Sequence, residues 1–123
     1  MTPTLDTLTK SRMIAEKIDP NKNRTWWRAN HTYEKGENKV TIDGYTCILP
    51  DIFSTDPEDH EARNAAMDLL AAFGKPYEIH DNQMQACCII RVDVGLIVVR
   101  CRPSIQAAIA SALWEALELG EEE

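Results

Sequence analysis

The most regular pattern of apolar and polar positions lies between Ser54 and Gly74. Asp56 is a typical N-cap residue, and Pro57 suits the first helical position because its missing N–H costs nothing there. Gly74 suits a left-handed closing position, and Pro76 prevents the helix from continuing. The segment therefore predicts one amphipathic helix, whose apolar face consists of Ala62, Ala65, Ala66, Leu69, Leu70 and Phe73.

Two further helices are predicted near the two ends of the chain. The first covers Thr4 to Ile18 and ends at Asp19-Pro20, because the residue before a proline is held out of the helical region. The last begins at Pro103-Ser104 and is predicted to end at Gly120, followed by a solvated acidic tail, Glu121–Glu123. Its apolar stripe at helical spacing consists of Ile105, Ala108, Ile109, Ala112, Leu113, Ala116 and Leu117.

The remaining apolar positions indicate strands. Residues Val40 to Leu49 alternate on both sides of Asp43-Gly44, a dipeptide typical of a two-residue hairpin loop. Tyr77–His80 is a short strand candidate. Met84–Val92 and Leu96–Arg102 are nearly continuous apolar runs, which predict two adjacent strands at the centre of a sheet that is covered on both faces.

Together these elements predict an α/β (α+β) fold, a single-domain sandwich in which helices cover a central, mainly antiparallel sheet. A chain of 123 residues is long enough for one domain with its own hydrophobic core. Within the domain 1–123 we distinguish an N-terminal helix at 1–20, a strand and hairpin region at 24–50, a helix–strands–helix core at 54–120 and the tail at 121–123.

The net charge of −7 is distributed unevenly. Residues up to Pro50 include eight Lys or Arg and six Asp or Glu, whereas those from Asp51 onward include five and fourteen. An acidic chain is unsuited to direct nucleic-acid binding, because phosphate neutralisation needs clustered basic side chains. No apolar run reaches the ~18–20 residues that span a bilayer, and the N-terminal residues lack a secretory signal. We therefore expect no membrane association and a cytosolic location.

Three segments of the chain carry a family resemblance: Met13–Ile18, Phe53–Asp56 and Pro103–Leu113. In this order they resemble the phage ABA sandwich domain family. The resemblance implies a three-layer α/β sandwich encoded by phages and prophages, with no established activity and with a location in the cytosol of the bacterial host. Residues Arg24–Leu49, which contain a tryptophan pair and the predicted hairpin, depart from the family pattern.

The cysteines and histidines do not indicate a metal site or a catalytic site. The four cysteines lie in apolar strand contexts and are predicted to be free, buried thiols: Cys47, Cys87, Cys88 and Cys101. Cys101 lies between two arginines, a setting that activates a thiolate, yet buried packing is the favoured interpretation. No paired Cys or His spacing of a zinc site and no glycine-rich phosphate loop occurs. We expect no metal, no cofactor and no catalytic residue.

Two groups of charged residues are candidates for contacts with a partner or ligand. One is an acidic contact face made of Asp51, Asp56, Glu58, Asp59 and Glu61. Helix capping and the helix dipole are the alternative explanation for most of these acids. The other is an anion contact made of Arg91, Arg100 and Arg102. It requires a strand pairing that brings the arginines together, and pairing with acids of the same chain is the alternative.

The aromatic residues give the sharpest functional signal. In a strand over Trp26–Tyr33, the adjacent Trp26 and Trp27 point to opposite faces, so one of them needs a cover other than the core. Trp, Tyr and Arg also dominate binding hot spots. Cover by the first helix or by the hairpin is the alternative. The predicted partner-binding residues are Trp26, Trp27, Arg28, His31, Tyr33 and Trp114, which lies off the apolar stripe of its helix.

The sequence and the resemblance together predict a non-enzymatic phage or prophage accessory protein that binds and inhibits a host protein. The most specific form of this prediction is an anti-defence inhibitor, comparable with anti-CRISPR proteins, whose partner is a nucleic-acid-binding defence protein. One alternative is a homo-oligomer that traps a nucleotide signal between Arg100, Arg102 and an aromatic such as Trp27. Another alternative is a small structural or assembly protein of the phage.

Overall fold

The computed structural model describes residues 7–20, 39–42, 45–48 and 50–120. In this part of the chain it contains three helices, α1 (Thr7–Ile18), α2 (His60–Phe73) and α3 (Ile105–Ala116). It also contains five strands, β1 (Lys39–Ile42), β2 (Tyr45–Ile48), β3 (Tyr77–Asp81), β4 (Ala86–Asp93) and β5 (Leu96–Arg102). The predicted strand Trp26–Tyr33 and the acidic tail lie outside the described residues.

The described strands form two antiparallel sheets. Strands β1 and β2 pair with Ile42 opposite Tyr45, which confirms the hairpin with a two-residue loop. Strands β3, β4 and β5 form the second sheet in that order, so β4 lies at its centre. The helices pack on this second sheet, which confirms the predicted α+β class with a central antiparallel sheet.

Helix α3 is the central element of the core. It lies close to β4 and β5, and it also packs against α1 and α2. Its many alanines allow this close approach, because a methyl side chain keeps neighbouring backbones near one another. The predicted single stripe was incomplete, since residues all around the helix are buried, including Gln106, Ala107, Ala110, Ser111 and Trp114. A helix that is apolar on every side is buried on every side.

The predicted apolar face of α2 is confirmed, but its predicted start is wrong. Ala62, Ala65, Ala66, Leu69 and Leu70 are buried, and Phe73 is partly buried against the same core. The helix begins at His60 with Asp59 as its N-cap, because the Asp59 carboxylate accepts the N–H of Ala62 at 3.1 Å. Gly74 closes the helix in the left-handed region, as predicted, with φ 77°.

Asp56 and Pro57 belong to a turn that precedes α2. The Asp56 carboxylate accepts the N–H of Glu58 at 2.9 Å, and the Asp56 carbonyl accepts the N–H of Asp59 at 3.1 Å. Both bonds are typical of an Asx-type turn, a local structure for which Asp is as well suited as it is for a helix cap. The sequence holds two acceptable cap residues three positions apart, and the second one begins the helix.

The predicted end of α3 at Gly120 is also wrong. The helix ends at Ala116, and Glu118 adopts the left-handed region with φ 57°. The N–H of Leu119 donates to the carbonyl of Trp114 at 3.2 Å, which closes the helix in the manner of a Schellman motif. A residue with a side chain therefore occupies the position that glycine usually takes.

The helices cover one face of the three-stranded sheet. Ala86, Cys88, Ile90 and Val98 point towards the helices and are buried in the common core. The alternate residues of the same strands point to the other side, because successive side chains of a strand lie on opposite faces. Among the described residues, Ile97 and Val99 remain 49% and 45% exposed there. In the described part of the chain the helices lie on one side of β4 and β5, so the predicted cover on both faces is not confirmed there.

The position of the α2 N-cap is tested by a pair of substitutions. We expect Asp59→Ala to lower the free energy of unfolding by about 1 kcal/mol, because a free N–H in the first turn loses its acceptor. We expect Asp56→Ala, the matched control, to cost less than about 0.5 kcal/mol, since it removes only an exposed turn contact. Urea unfolding measures both values. A larger loss for Asp56→Ala would contradict a helix start at His60.

The closing residue of α3 predicts a stabilising change. We expect Glu118→Gly to raise the free energy of unfolding by about 0.5–1 kcal/mol, because glycine adopts a positive φ without steric cost. Glu118→Ala removes the same carboxylate but keeps the Cβ, so we expect no gain from it. Thermal unfolding of the three proteins makes the comparison. An equal gain for both variants would assign the effect to charge instead of backbone strain.

Candidate interaction surface

The face of the three-stranded sheet that no described helix covers is a candidate interaction surface. Strand pairing places Ile89 opposite Val99 and Arg91 opposite Ile97, and on the other side of β4 it places Glu78 opposite Ile89 and His80 opposite Cys87. Directly opposite side chains in such pairs lie about 4.5–5.5 Å apart at Cβ, so they form one continuous surface. We call it the outer sheet face, and its residues are Glu78, His80, Cys87, Ile89, Arg91, Ile97, Val99 and Cys101.

The apolar part of the outer sheet face lies along β5. Ile97 and Val99 are exposed, and Ile89 is partly buried beside Val99. Arg91 is exposed next to Ile97. Adjacent exposed β-branched side chains beside a guanidinium resemble the apolar centre and charged rim of a protein interface more than a plain solvated surface.

A disulfide crosses the outer sheet face. Cys87 and Cys101 are directly opposite in β4 and β5, with Cα atoms 4.0 Å apart, and their sulfur atoms are bonded. The prediction that these two cysteines are free thiols was wrong, and the bond also excludes the disfavoured alternative of a reactive Cys101 thiolate. The physical reason is the strand register, which places the two side chains on the same face and opposite one another.

Cys88 is the free cysteine among the described side chains, and it faces the helices. Burial raises the pKa of the Cys88 thiol to about 12, because the low-dielectric core disfavours the thiolate. A thiol in this setting is unreactive at neutral pH, which agrees with the predicted packing role. The side chain of Cys47 lies outside the described residues.

The three candidate arginines do not form one anion site. Arg91 lies on the outer sheet face, whereas Arg100 and Arg102 point to the helix side, opposite Cys88 and Ala86. Arg100 forms an ion pair with Glu115 of α3 at 2.5 Å. The intramolecular alternative is therefore the correct one for Arg100, and the nucleotide trap loses one of its predicted contacts.

Both helix-side arginines also bind main-chain carbonyls of β5. The Arg100 guanidinium donates to the carbonyl of Val99, and that of Arg102 donates to the carbonyl of Cys101, each at 2.7 Å. In an antiparallel pair, opposite residues with closely spaced Cα atoms exchange no main-chain hydrogen bonds. Cys87 and Cys101 are such a pair, and Val99 lies two residues from Cys101 in the same register. The carbonyls of Val99 and Cys101 therefore point away from β4. The arginines thus occupy acceptors on the β5 edge, with which no described strand pairs, and this hinders pairing with another strand.

The candidate acidic face is divided between structural and exposed residues. Asp51 accepts hydrogen bonds from the hydroxyl of Thr7 at 2.6 Å and from the N–H of Phe53 at 3.0 Å, so it connects α1 to the loop that precedes α2. These bonds give Asp51 a structural role, and its inclusion in a contact face stays a prediction. Asp59 is the helix cap. The exposed acids near the start of α2 are Asp56, Glu58 and Glu61, for which a contact role stays a prediction.

Trp114 is a core residue, so its assignment to partner binding was wrong. It is 2% exposed, and its ring meets that of Phe53 edge to face with centroids 6.4 Å apart. The Lys10 ammonium lies 5.4 Å from the Trp114 ring and 5.5 Å from the Phe53 ring, which allows cation–π attraction to both. The other predicted aromatic contacts, Trp26, Trp27, Arg28, His31 and Tyr33, lie outside the described residues.

Two further findings concern the described part of the chain alone. Residues 7–20, 39–42, 45–48 and 50–120 contain no group of three or more His, Cys, Asp and Glu side chains arranged to hold a metal ion. The same residues contain no helix with the length and apolar character needed to cross a bilayer.

Comparison with known proteins gave one informative likeness of structure. The fold is similar to the crystal structure of a phage protein from Bacillus cereus ATCC 14579, with a TM-score of 0.63 and 12% sequence identity. The match covers 99% of this chain and 96% of that one. At this identity the likeness shows a shared fold. Neither a family model nor a curated protein matches the chain, so the resemblance to the phage ABA sandwich family stays a prediction.

The position of Trp114 is tested by stability measurements. We expect Trp114→Phe to lower the free energy of unfolding by about 1–2 kcal/mol, because the smaller ring leaves space in the core. As a comparison we use Ile97→Thr, which changes an exposed side chain on the outer sheet face. We expect it to lower the free energy of unfolding by less than about 0.5 kcal/mol. Urea unfolding gives both values. An unchanged stability for Trp114→Phe would contradict the buried position.

Proposed function

We propose that this chain is a non-enzymatic phage or prophage accessory protein that acts by binding a host protein through the outer sheet face. The observation that carries the proposal is the exposure of Ile97 and Val99 beside Arg91 on the outer sheet face. Burying such side chains against a partner would contribute roughly 25 cal/mol for each Å² of apolar surface removed from water.

Two lines of support favour a phage origin. The structural neighbour is described as a phage protein, and its fold extends over nearly the whole of both chains. The segments Met13–Ile18, Phe53–Asp56 and Pro103–Leu113 resemble a phage family independently of that likeness. Fold alone does not define an activity, so the binding role rests on the surface and not on the neighbour.

The chemistry of the outer sheet face indicates what its partner presents. The centre needs an apolar surface for Ile97 and Val99, and the exposed Arg91 next to them favours a carboxylate at the adjoining rim. Glu78 and His80 form the polar border on the β3 side of the outer sheet face. The Oε2 atom of Glu78 lies 3.8 Å from the Nε2 atom of His80. A protein surface with an apolar centre and an acidic edge matches this arrangement.

Inhibition of a host defence protein is the more specific form of the proposal. Its support is the phage resemblance, the small size of the chain and the excess of acidic residues from Asp51 onward. The tryptophan pair at Trp26-Trp27 is a second candidate contact for the same partner.

The proposal is tested with charge-introducing variants of β5. Ile97→Lys and Val99→Lys place a cation in the apolar centre, whereas lysine on an edge strand is well tolerated by the fold. We expect each variant to weaken binding to the captured host protein by at least about tenfold, because a lysine must be desolvated at the interface. Capture from a lysate of a bacterial host, followed by titration with the identified protein, measures the effect.

A matched control uses another exposed apolar residue. Met84 is exposed in the turn between β3 and β4, outside the outer sheet face, and we expect Met84→Lys to bind as wild type does. Loss of the same partner in all three variants would indicate a general effect of charge and would contradict the proposed face. A partner that tolerates both β5 variants but is lost in Trp26→Ala and Trp27→Ala would move the binding site to the tryptophan pair.

A further inference from the structure

The Cys87–Cys101 disulfide joins two residues that are only partly buried. Both belong to the side of the sheet that no described helix covers. The pair also lies far from the β4–β5 turn, at the end where β5 leads into α3 through Pro103 and Ser104. The disulfide therefore closes the open end of the hairpin, while main-chain pairing and the turn hold the rest of it together.

The remaining described thiol is separated from this disulfide by the sheet itself. Cys88 is fully buried and points to the helices, opposite Arg100, although it follows Cys87 directly in the chain. Its sulfur can reach the disulfide only if the strand rotates or unpairs, because adjacent residues of a strand face opposite sides. The buried thiol is also kept protonated, which removes its nucleophilicity.

We propose that Cys87 and Cys101 form a thiol–disulfide exchange site that reacts with low-molecular-weight thiols while the protein is folded, and that Cys88 takes no part in it. This inference is independent of the proposed binding function. It is supported by the partial exposure of Cys87 and Cys101, by their positions directly opposite one another in the sheet, and by the burial of Cys88 on the other face.

The exchange balances with two molecules of a monothiol such as glutathione. The first thiolate attacks one sulfur of the disulfide, which forms a mixed disulfide and releases the other cysteine as a thiolate. A second glutathione thiolate then attacks the mixed disulfide, so that glutathione disulfide leaves and two protein thiols remain. Two glutathione thiols are oxidised and one protein disulfide is reduced. Because strand pairing keeps the two thiols opposite one another, oxidised glutathione reverses the sequence.

The test follows the modification of each cysteine in the folded chain. The air-oxidised protein is incubated with reduced glutathione, quenched with an alkylating reagent and mapped by peptide mass spectrometry. We expect Cys87 and Cys101 to gain glutathione or the alkyl group, while Cys88 is modified at least about tenfold more slowly, as a buried thiol requires. Subsequent oxidised glutathione restores the Cys87–Cys101 bond.

A denaturant series distinguishes exchange in the folded state from exchange after unfolding. Adding 1 M urea raises the unfolded fraction by at least about fivefold for a typical small domain. We expect the exchange rate to stay within about twofold under the same condition, because the disulfide is reached without global unfolding. A rate that rises in proportion to the unfolded fraction would overturn the proposal.

The Cys88→Ala variant tests whether the Cys88 thiol takes part in the exchange. We expect its exchange rate at Cys87 and Cys101 to match that of wild type under conditions where circular dichroism shows both proteins folded. A loss of exchange in Cys88→Ala, or glutathione on Cys88 at the rate of the other two, would overturn the assignment. Free Cys87 and Cys101 thiols in the air-oxidised, folded protein would overturn it as well.

Discussion

The burial of α3 on every side is the constraint on which the rest of the described structure depends. A helix enclosed by a sheet and two other helices needs apolar or small residues around its whole circumference, and every polar group at its start needs a partner. Ser104 meets this need as N-cap, because its hydroxyl accepts the N–H of Ala107 and donates to the carbonyl of Ser54. The buried Gln106 amide donates to the carbonyl of Asp56 at 2.6 Å.

These bonds explain why three distant segments occur together as one recognisable pattern. The loop at 50–59 is bonded to α3 through Ser104 and Gln106, and to α1 through Ser11, whose hydroxyl accepts the N–H of the buried Ile52 at 3.1 Å. Phe53–Asp56 and Pro103–Leu113 are therefore directly hydrogen-bonded to each other, and Met13–Ile18 belongs to the helix that Ser11 bonds to the same loop. The phage resemblance rests on residues that build this unit, so it carries information on fold and little on what the surface does.

The sequence predicted features that depend on local periodicity and missed those that depend on tertiary register. The apolar face of α2 and the β1–β2 hairpin follow from spacing alone, whereas the choice between Asp56 and Asp59 as cap depends on how the loop is held against α3. Trp114 lies off the apolar stripe, and its burial follows only once α1 and Phe53 are known to lie against it. Single-helix patterns do not contain that information.

The disulfide shows the effect of register most clearly. Strands β4 and β5 pair Asp93 with Leu96 at the turn, and counting outward from this pair would place Cys88 opposite Cys101. The irregularity between Arg91 and Asp93 shifts the pairing by one residue, so Cys87 takes that place. A one-residue shift also exchanges the two faces of a strand. This single bulge therefore determines that the bonded sulfurs lie on the outer sheet face beside Val99, while the thiol of Cys88 enters the core beneath α3.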